Sequence, residues 1–185
     1  MIGYAMCGSF CTHSASIAIL EDLCRSYEVL PIVSEIVGKT DTRFGKAADT
    51  LAILASLCRR PVIRTIEDAE PLGPKTVLDA LVIAPCTGNT LSKIVHGITD
   101  TTVTMAAKAH LRADRPLLCA LASNDAMSAN LKNIGTFLNR KSCYLVPMRQ
   151  DDIVNKPHSL VADFTRVPEC LTAALSGRQL RPLFL

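Results

Sequence analysis

The hydrophobic and polar positions of this chain form two alternating patterns. Short apolar runs predict buried β-strands at 2–7, 28–34, 78–85, 115–122 and 143–148, with a weaker strand at 61–65. Between them, apolar residues at helical spacing predict helices at 13–27, 45–60, 90–98, 101–113, 128–140 and 159–177, the last with a break near Pro168. Near-continuous apolar strands that alternate with helices are typical of a parallel sheet covered on both faces.

This alternation predicts a single doubly wound α/β domain over 1–185, Rossmann-like or flavodoxin-like, with a mainly parallel sheet and helices on both faces. A core over 2–148 would be followed by a loop and a helix over 149–185. The chain of 185 residues is long enough for one substantial core, and no Gly-, Ser- or Pro-rich linker divides it. Polar stretches at 37–45 and 149–159 follow strands, at the sheet edge where such folds bind ligands.

Composition and charge disfavour several classes of function. The net charge is +3 without a dense basic block, 4% of residues are aromatic and Trp is absent, which together argue against nucleic-acid binding. Eight cysteines without a C-x-x-C pair and four scattered histidines predict no metal site. No signal peptide or membrane-spanning run is recognisable, and several cysteines lie in apolar runs, so a reduced, cytoplasmic location is expected.

The first predicted strand leads into a turn, CGSFCTHS, of small and polar residues. Gly8 permits a close approach of the backbone, and Ser9 offers a hydroxyl near a helix N-terminus, which makes a workable anion site. The alternative is an ordinary helix N-cap formed by Thr12 or Ser14. Ser34 ends the second predicted strand and is expected to face the same crevice as Gly8 and Ser9.

The stretch VIAPCTGNTLSKI contains the strongest candidate site. A strand ends at Pro85, and the next helix begins with small and polar residues, of which a cap needs only one. Ligand binding is therefore favoured, because such residues bring donors to a flat ligand that lies against the backbone. Cys86 is interpreted as a small wall residue in preference to a nucleophile. The residues that start the helix are Thr87, Gly88, Asn89 and Thr90.

The stretch LASNDAM repeats this arrangement after the next strand. Ser123, Asn124 and Asp125 either cap the following helix or line the same pocket, and their place at the same sheet edge favours the pocket. In the polar loop 149–159, His158 is a candidate for a functional role. His96 and His110 are interpreted as surface or interface residues.

These motifs resemble those of a known family. APCTGNTLSKIVHGITD is similar to the P-A-S-A-N-T signature of the flavin-binding cysteine decarboxylases and to the P-C-S-x-x-T-L turn of the flavin prenyltransferases, a related branch. LASNDAM resembles the P-x-M-N-x-x-M motif of the decarboxylases, in which Asn124 and Met127 match but Leu121 and Ser123 do not. GSF at 8–10 resembles the first turn of the family, and the similarity covers about 2–148.

The resemblance implies FMN as cofactor and a homo-oligomer, either a trimer or a multiple of one. It implies that Gly8, Ser9 and Ser34 lie near the FMN phosphate and ribityl chain, and that Asn89 also contacts a substrate carboxylate. The remaining residues expected to line the cofactor are Pro85, Cys86, Thr87, Gly88, Thr90, Ser123 and Asn124.

Further segments, including TDTRFGKA, VPMRQDD and KPHSLVAD, resemble one branch of this group along nearly the whole chain. That resemblance implies a subunit of a two-subunit oxidoreductase, which acts on a dihydropyridine dicarboxylate in the mother cell of a spore-forming bacterium. The partner subunit would bind NADP or NAD. A dianionic substrate needs donors, and Arg43, Arg149 and Lys156 in the two polar loops are the candidates. Asn89, Arg43 and His158 are the candidates for a direct part in the reaction.

Two alternatives to this branch remain. One is a stand-alone FMN-dependent decarboxylase or flavin prenyltransferase, and the other is a non-catalytic partner of the second subunit. The decarboxylases use a histidine before the fourth-strand region, where this chain has TIEDAEPLGPK without one. This difference favours a protein that keeps the flavin crevice but has a different reaction.

Overall fold

The computed structural model describes residues 1–73 and 75–185 of the chain. Its strands are β1 (Ile2–Met6), β2 (Val29–Val33), β3 (Ala80–Cys86), β4 (Leu117–Ser123), β5 (Cys143–Leu145), β6 (Met148–Arg149) and β7 (Leu160–Ala162). Within these residues they form one sheet in the order β2-β1-β3-β4-β7-β6, with β5 paired to β4 off this path. The pairs among β1, β2, β3, β4 and β5 are parallel, whereas β7 is antiparallel to both β4 and β6. The predicted α/β fold with a mainly parallel sheet is confirmed.

Helices cover both faces of the sheet. They are α1 (His13–Leu23), α2 (Glu35–Lys39), α3 (Ala47–Cys58), α4 (Ile66–Ala69), α5 (Gly88–His96), α6 (Thr102–Leu111), α7 (Leu131–Leu138) and α8 (Val167–Leu175), with 3-10 turns at Phe10–Thr12 and Phe164–Arg166. No helix in the part of the chain that the structure describes has the length and apolar character needed to cross a bilayer.

The two faces of β3 show why the strand is continuously apolar in sequence. Successive side chains of a strand point to opposite faces. Leu81 and Ile83 belong to the hydrophobic cluster that α5, α6 and α7 cover. Ala80, Val82 and Ala84 belong to the other cluster, which α1, α3 and α8 cover. Because both faces are buried, no position of β3 favours a polar side chain, and the strand ends where the burial ends.

Pro31, which has no backbone N–H, is tolerated in β2 because the outer side of this strand makes little pairing. β2 pairs with β1 on one side, and on the other side, among the described residues, it makes only an isolated bridge between Ile32 and Ile63. The carbonyl of Pro31 accepts a hydrogen bond from the N–H of Ile63 at 2.9 Å. The weak strand predicted at 61–65 is therefore reduced to this bridge.

The predicted helix at 159–177 is wrong in its first part. Residues Leu160–Ala162 form β7, in which Leu160 and Ala162 are buried and Val161 is half-buried. The helix begins only at Val167, and Pro168 lies in its first turn, where a missing backbone N–H breaks no hydrogen bond. The prediction that Pro168 breaks the helix is therefore wrong.

The outer edge of β4 is shared between two strands. β5 pairs with its first half from Leu117 to Cys119, and β7 pairs with its end at Ala122 and Ser123. The strand predicted at 143–148 is thereby divided into β5, which pairs with β4, and β6, which pairs with β7. The C-terminal segment thus adds strands to the sheet next to the carboxyl end of β4.

Candidate functional site

A crevice of about 600 Å³ lies at the carboxyl ends of β1, β3 and β4. Ligands bind at this edge in open parallel sheets, and the volume lies in the range of small-molecule sites. The turns after the three strands supply the floor, and the loops around Arg43 and Lys156 supply two walls. The structure brings together ten of the residues singled out in the sequence, which are Gly8, Ser9, Arg43, Thr87, Gly88, Asn89, Ser123, Asn124, Asp125 and Lys156.

The turn after β1 is not a side-chain cap. The residue that precedes α1 is Thr12, whose hydroxyl donates to the carbonyl of Ser9 at 2.8 Å and caps no helix N–H. Ser14 lies inside α1. Among the described residues, the hydroxyl of Ser9 has only a contact of 3.9 Å with the thiol of Cys11, so it remains available to a ligand.

The turn after β3 divides its polar groups between capping and the crevice. The hydroxyl of Thr87 accepts from the backbone N–H of Thr90 at 3.2 Å, which caps α5, and donates to the hydroxyl of Thr90 at 3.0 Å. Thr90 is buried and in turn donates to the thiol of Cys7 at 3.4 Å. Asn89 is exposed, and its side chain has no hydrogen bond within the described residues. The amide of Asn89 is therefore available in the crevice.

Gly88 is needed for packing against the turn after β4. A Cβ at this position would clash with the hydroxyl of Ser123 and would lie 2.6 Å from the amide nitrogen of Asn130. It would also lie 2.9 Å from the carboxylate of Asp125. The start of α5 is therefore held against a polar cluster that Ser123, Asp125 and Asn130 form.

This polar cluster is closely hydrogen bonded. The hydroxyl of Ser123 donates to Asp125 at 2.5 Å, and the amide of Asn130 donates to both carboxylate oxygens at 3.0 and 2.9 Å. Asn133 donates to Asn130 at 2.8 Å. The hydrogen bond from Ser123, followed by those from Asn130, lowers the pKa of Asp125. Asp125 therefore lines the crevice as an anion, together with Ser123 and Asn124.

The cationic groups of the crevice come from the two polar loops. The guanidinium of Arg43 lies 4.8 Å from the centre of the Phe44 ring, and both side chains line the crevice. The ammonium of Lys156 makes an ion pair of 2.9 Å with Asp151, and the hydrogen bond to Asp151 raises the pKa of Lys156. Arg43 makes no ion pair within the described residues, so its charge is free for an anionic ligand.

Arg149 and His158 are outside the crevice lining. The guanidinium of Arg149 makes an ion pair of 2.6 Å with Asp163, which follows β7. His158 is exposed, and its backbone carbonyl accepts from the N–H of Met127 at 2.9 Å, so that its main chain joins two loops. The structure therefore gives His158 a connecting role through its backbone.

Four further predicted residues lie behind the crevice surface. Pro85 and Cys86 are buried in β3, and Cys86 lies among the buried thiols with Cys7 and Cys119. Burial raises the pKa of Cys7 to about 12, which keeps this thiol protonated. Ser34 is buried at the end of β2 and its hydroxyl has no partner within the described residues. Thr90, the fourth, is used by the cap.

The crevice also contains residues that the sequence interpretation did not assign to the cofactor or substrate. Phe10 and Phe44 are sequence neighbours of residues predicted to line the crevice, and this adjacency could have identified them. Nothing in the sequence could have identified Val161, since β7 was predicted as a helix. The unassigned lining residues are Phe10, Cys11, Phe44, Ala122, Asp151 and Val161. No group of three or more His, Cys, Asp or Glu side chains in 1–73 and 75–185 is arranged to hold a metal ion.

Known proteins are similar to this chain along nearly its whole length. A sequence model of the family described as Flavoprotein matches residues 3–164. The chain is 40% identical over 185 residues to the B subunit of dipicolinate synthase from Bacillus subtilis, covering 100% of this chain and 92% of that protein. The similarity therefore includes both polar loops as well as the strand-end turns.

Solved structures of other proteins have the same fold as this chain. The crystal structure of the dipicolinate synthase B subunit from Bacillus halodurans is similar with a TM-score of 0.91 at 38% identity, covering 100% of this chain and 95% of that one. The FMN-dependent cysteine decarboxylase SpaF has a TM-score of 0.69 at 21% identity, covering 95% and 94%. The likeness to SpaF shows a common fold.

Proposed function

The chain belongs to the Flavoprotein family, and on that premise we propose that it is the B subunit of a dipicolinate synthase. The reaction is the oxidation of dihydrodipicolinate to dipicolinate during sporulation. The proposal rests on the full-length similarity to that subunit and on the crevice at the carboxyl ends of β1, β3 and β4. The carrying observation is that this crevice presents the free side chains of Asn89 and Arg43.

The residues present fit FMN in this crevice. The buried hydroxyl of Ser34 has no protein partner within the described residues, and it lies at the end of β2, beside the turn that contains Gly8 and Ser9. The hydroxyl of Ser9 is free, and the first backbone N–H groups of α5, from Gly88 and Asn89, favour anionic or electron-rich groups. In this proposal the phosphate and ribityl chain lie near Ser9 and Ser34, and 87–89 lie against the flavin ring.

FMN supplies the redox chemistry when bound, by accepting or releasing a hydride equivalent. The chain itself orients the substrate and provides charge. Arg43 binds one substrate carboxylate, because a guanidinium pairs with a carboxylate in a bidentate way and the ring of Phe44 holds it in place. Lys156, which pairs with Asp151, offers a second cation in the same crevice, and the amide of Asn89 donates from the crevice floor. Arg149 stays in its ion pair with Asp163 and does not join this set.

The partner in this proposal is the A subunit of dipicolinate synthase, which binds NADP or NAD. The B subunit acts as a homo-oligomer, a trimer or a multiple of one, in the cytoplasm of the mother cell. Because the A subunit carries the nicotinamide cofactor, neither subunit alone is expected to complete the reaction.

The test is reconstitution from separately purified subunits. Oxidation of dihydrodipicolinate is followed by the absorbance of dipicolinate for the A subunit alone, for this chain alone and for the mixture. The proposal predicts product in the mixture only. Full activity of the A subunit alone would make this chain a non-catalytic partner, and activity of this chain alone on a thiol-containing or prenyl substrate would indicate the decarboxylase or prenyltransferase alternative.

A further inference from the structure

A second cavity, of about 360 Å³, lies between the end of α5 and the side of α6, next to Arg140 after α7. Because α5 starts at the crevice, this cavity is at the opposite end of α5 from Asn89. Nine helical residues span about 13 Å at the rise of an α-helix, which separates the two sites clearly. None of the described residues around this cavity lines the crevice.

The floor of the cavity is apolar. Ile94 comes from α5, Ala107 and Leu111 come from α6, and Ile98 adjoins Gly97, which caps the end of α5. Ile98 is 47% exposed although it adjoins this apolar surface. An apolar ligand group placed here would remove that surface from water, at about 25 cal/mol for each Å².

The rim of the cavity is cationic. Lys108 and Arg112 lie one helical turn apart at the end of α6, and Arg140 follows α7. Among the residues that the structure describes, no acidic side chain lines the cavity. None of these three cations makes an ion pair within residues 1–73 and 75–185, although Arg140 donates to the carbonyl of Ile94 at 2.9 Å.

Helix ends offset only part of this positive charge. Each helix C-terminus carries about half a negative charge, so three helix ends offset about one and a half of the three positive charges. The nearby carboxylates are already used, because Asp100 pairs with Lys93 at 2.8 Å and Asp114 pairs with Lys141 at 2.8 Å. The cavity therefore retains a net positive field over an apolar floor.

We propose that this cavity is a binding site for a small aromatic carboxylate. The apolar floor takes the ring, and Lys108, Arg112 and Arg140 take the carboxylate at the rim. Inorganic phosphate fits less well, since it has no apolar surface to bury against Ile94 and Leu111. This proposal is independent of the reaction assigned to the crevice.

The test is calorimetric titration of the intact chain with benzene-1,3-dicarboxylate and, separately, with inorganic phosphate. In R43Q, which lacks the free cation of the crevice, saturable binding of the dicarboxylate is expected, with affinity at least about tenfold lower in R43Q/K108Q/R112Q, since charge-assisted hydrogen bonds are lost. The control K132Q/R178Q removes the same charge from exposed positions outside the cavity and is expected to leave the affinity unchanged. Binding is also expected to persist in R43Q, which separates this cavity from the crevice.

A second variant tests the apolar part of the site. Thr99→Trp fills the cavity at a half-exposed position and leaves all three cations in place, so it is expected to weaken dicarboxylate binding. The proposal is overturned if R43Q/K108Q/R112Q binds as tightly as R43Q, or if K132Q/R178Q loses as much affinity. It is also overturned if no saturable binding occurs, or if phosphate binds equally well and Thr99→Trp has no effect.

Discussion

The side-chain amide of Asn130 donates to both carboxylate oxygens of Asp125, at 3.0 and 2.9 Å, directly below the start of α5. Asn130 is 5% exposed, so its amide has little access to water. Asp125→Ala removes the acceptor, and the buried amide left without a partner is expected to lower the free energy of unfolding by about 1–3 kcal/mol.

Urea denaturation measures this loss. The matched control is Asp114→Ala, which breaks the exposed ion pair with Lys141 and is expected to cost at most about 1 kcal/mol. If both substitutions lowered the free energy of unfolding by the same small amount, the hydrogen bonds between Asn130 and Asp125 would not contribute to stability as proposed.

A methyl group at Gly88 is expected to disturb the crevice floor. In Gly88→Ala the new Cβ meets Ser123 and Asn130, so either the polar cluster or the first turn of α5 must move. We expect a loss of about 1–3 kcal/mol in unfolding free energy, together with weaker flavin binding.

Gly135→Ala in α7 is the control for helix propensity, because a Cβ there has no neighbour within 4 Å among the described residues. This control is expected to gain about 0.5–1 kcal/mol. A stabilising effect of Gly88→Ala would contradict the close contact between the start of α5 and the turn after β4.

Arg43 is expected to matter for the substrate and not for stability. Its guanidinium is exposed and makes no ion pair within the described chain, so Arg43→Gln is expected to change the unfolding free energy by less than about 0.5 kcal/mol. In the reconstituted two-subunit assay, the same change is expected to raise KM for the dicarboxylate about tenfold or more, because a charge-assisted hydrogen bond is lost. Arg178→Gln serves as the exposed arginine control, and an unchanged KM in Arg43→Gln would remove Arg43 from the substrate site.

His110 makes the stability dependent on pH. Its Nε2–H donates to the carbonyl of Pro116 at 2.9 Å, and its other ring nitrogen is buried without a partner among the described residues. Burial, with a smaller effect of the Arg115 charge, lowers the pKa of His110, so the unfolded chain binds the proton more readily than the folded one. The stabilisation is therefore present above the unfolded pKa of about 6.5 and is lost as the pH falls below it.

Urea denaturation at pH 7.5 and pH 5.5 tests this expectation. The unmodified chain is expected to be less stable at pH 5.5, and His110→Gln is expected to show a smaller difference between the two conditions. Part of the difference remains in the variant, because burial also lowers the pKa of His13. An unchanged pH dependence in His110→Gln would contradict this role of His110.

Local patterns in the sequence were enough to predict the sheet and the turns after β1, β3 and β4. The turn at 85–90 was recognisable because its polar residues exceed what a cap requires, and in the structure Thr87 performs the capping while Asn89 stays free. Pairing between distant segments was not predictable. Arg149 is held by Asp163 only because β6 and β7 are antiparallel neighbours, and β7 itself was predicted as a helix. The polar cluster at Asp125 likewise depends on a contact with Gly88 that no spacing reveals.

The central claim is that the crevice holds FMN, and an absorbance spectrum tests it most directly. The purified chain is incubated with FMN, desalted and measured, alongside Asn89→Trp and the exposed control Asn139→Trp. We predict flavin bands that survive desalting in the unmodified chain and in Asn139→Trp and are lost in Asn89→Trp, because the indole occupies the crevice floor. A colourless protein after desalting, or flavin retained equally by Asn89→Trp, would contradict the claim.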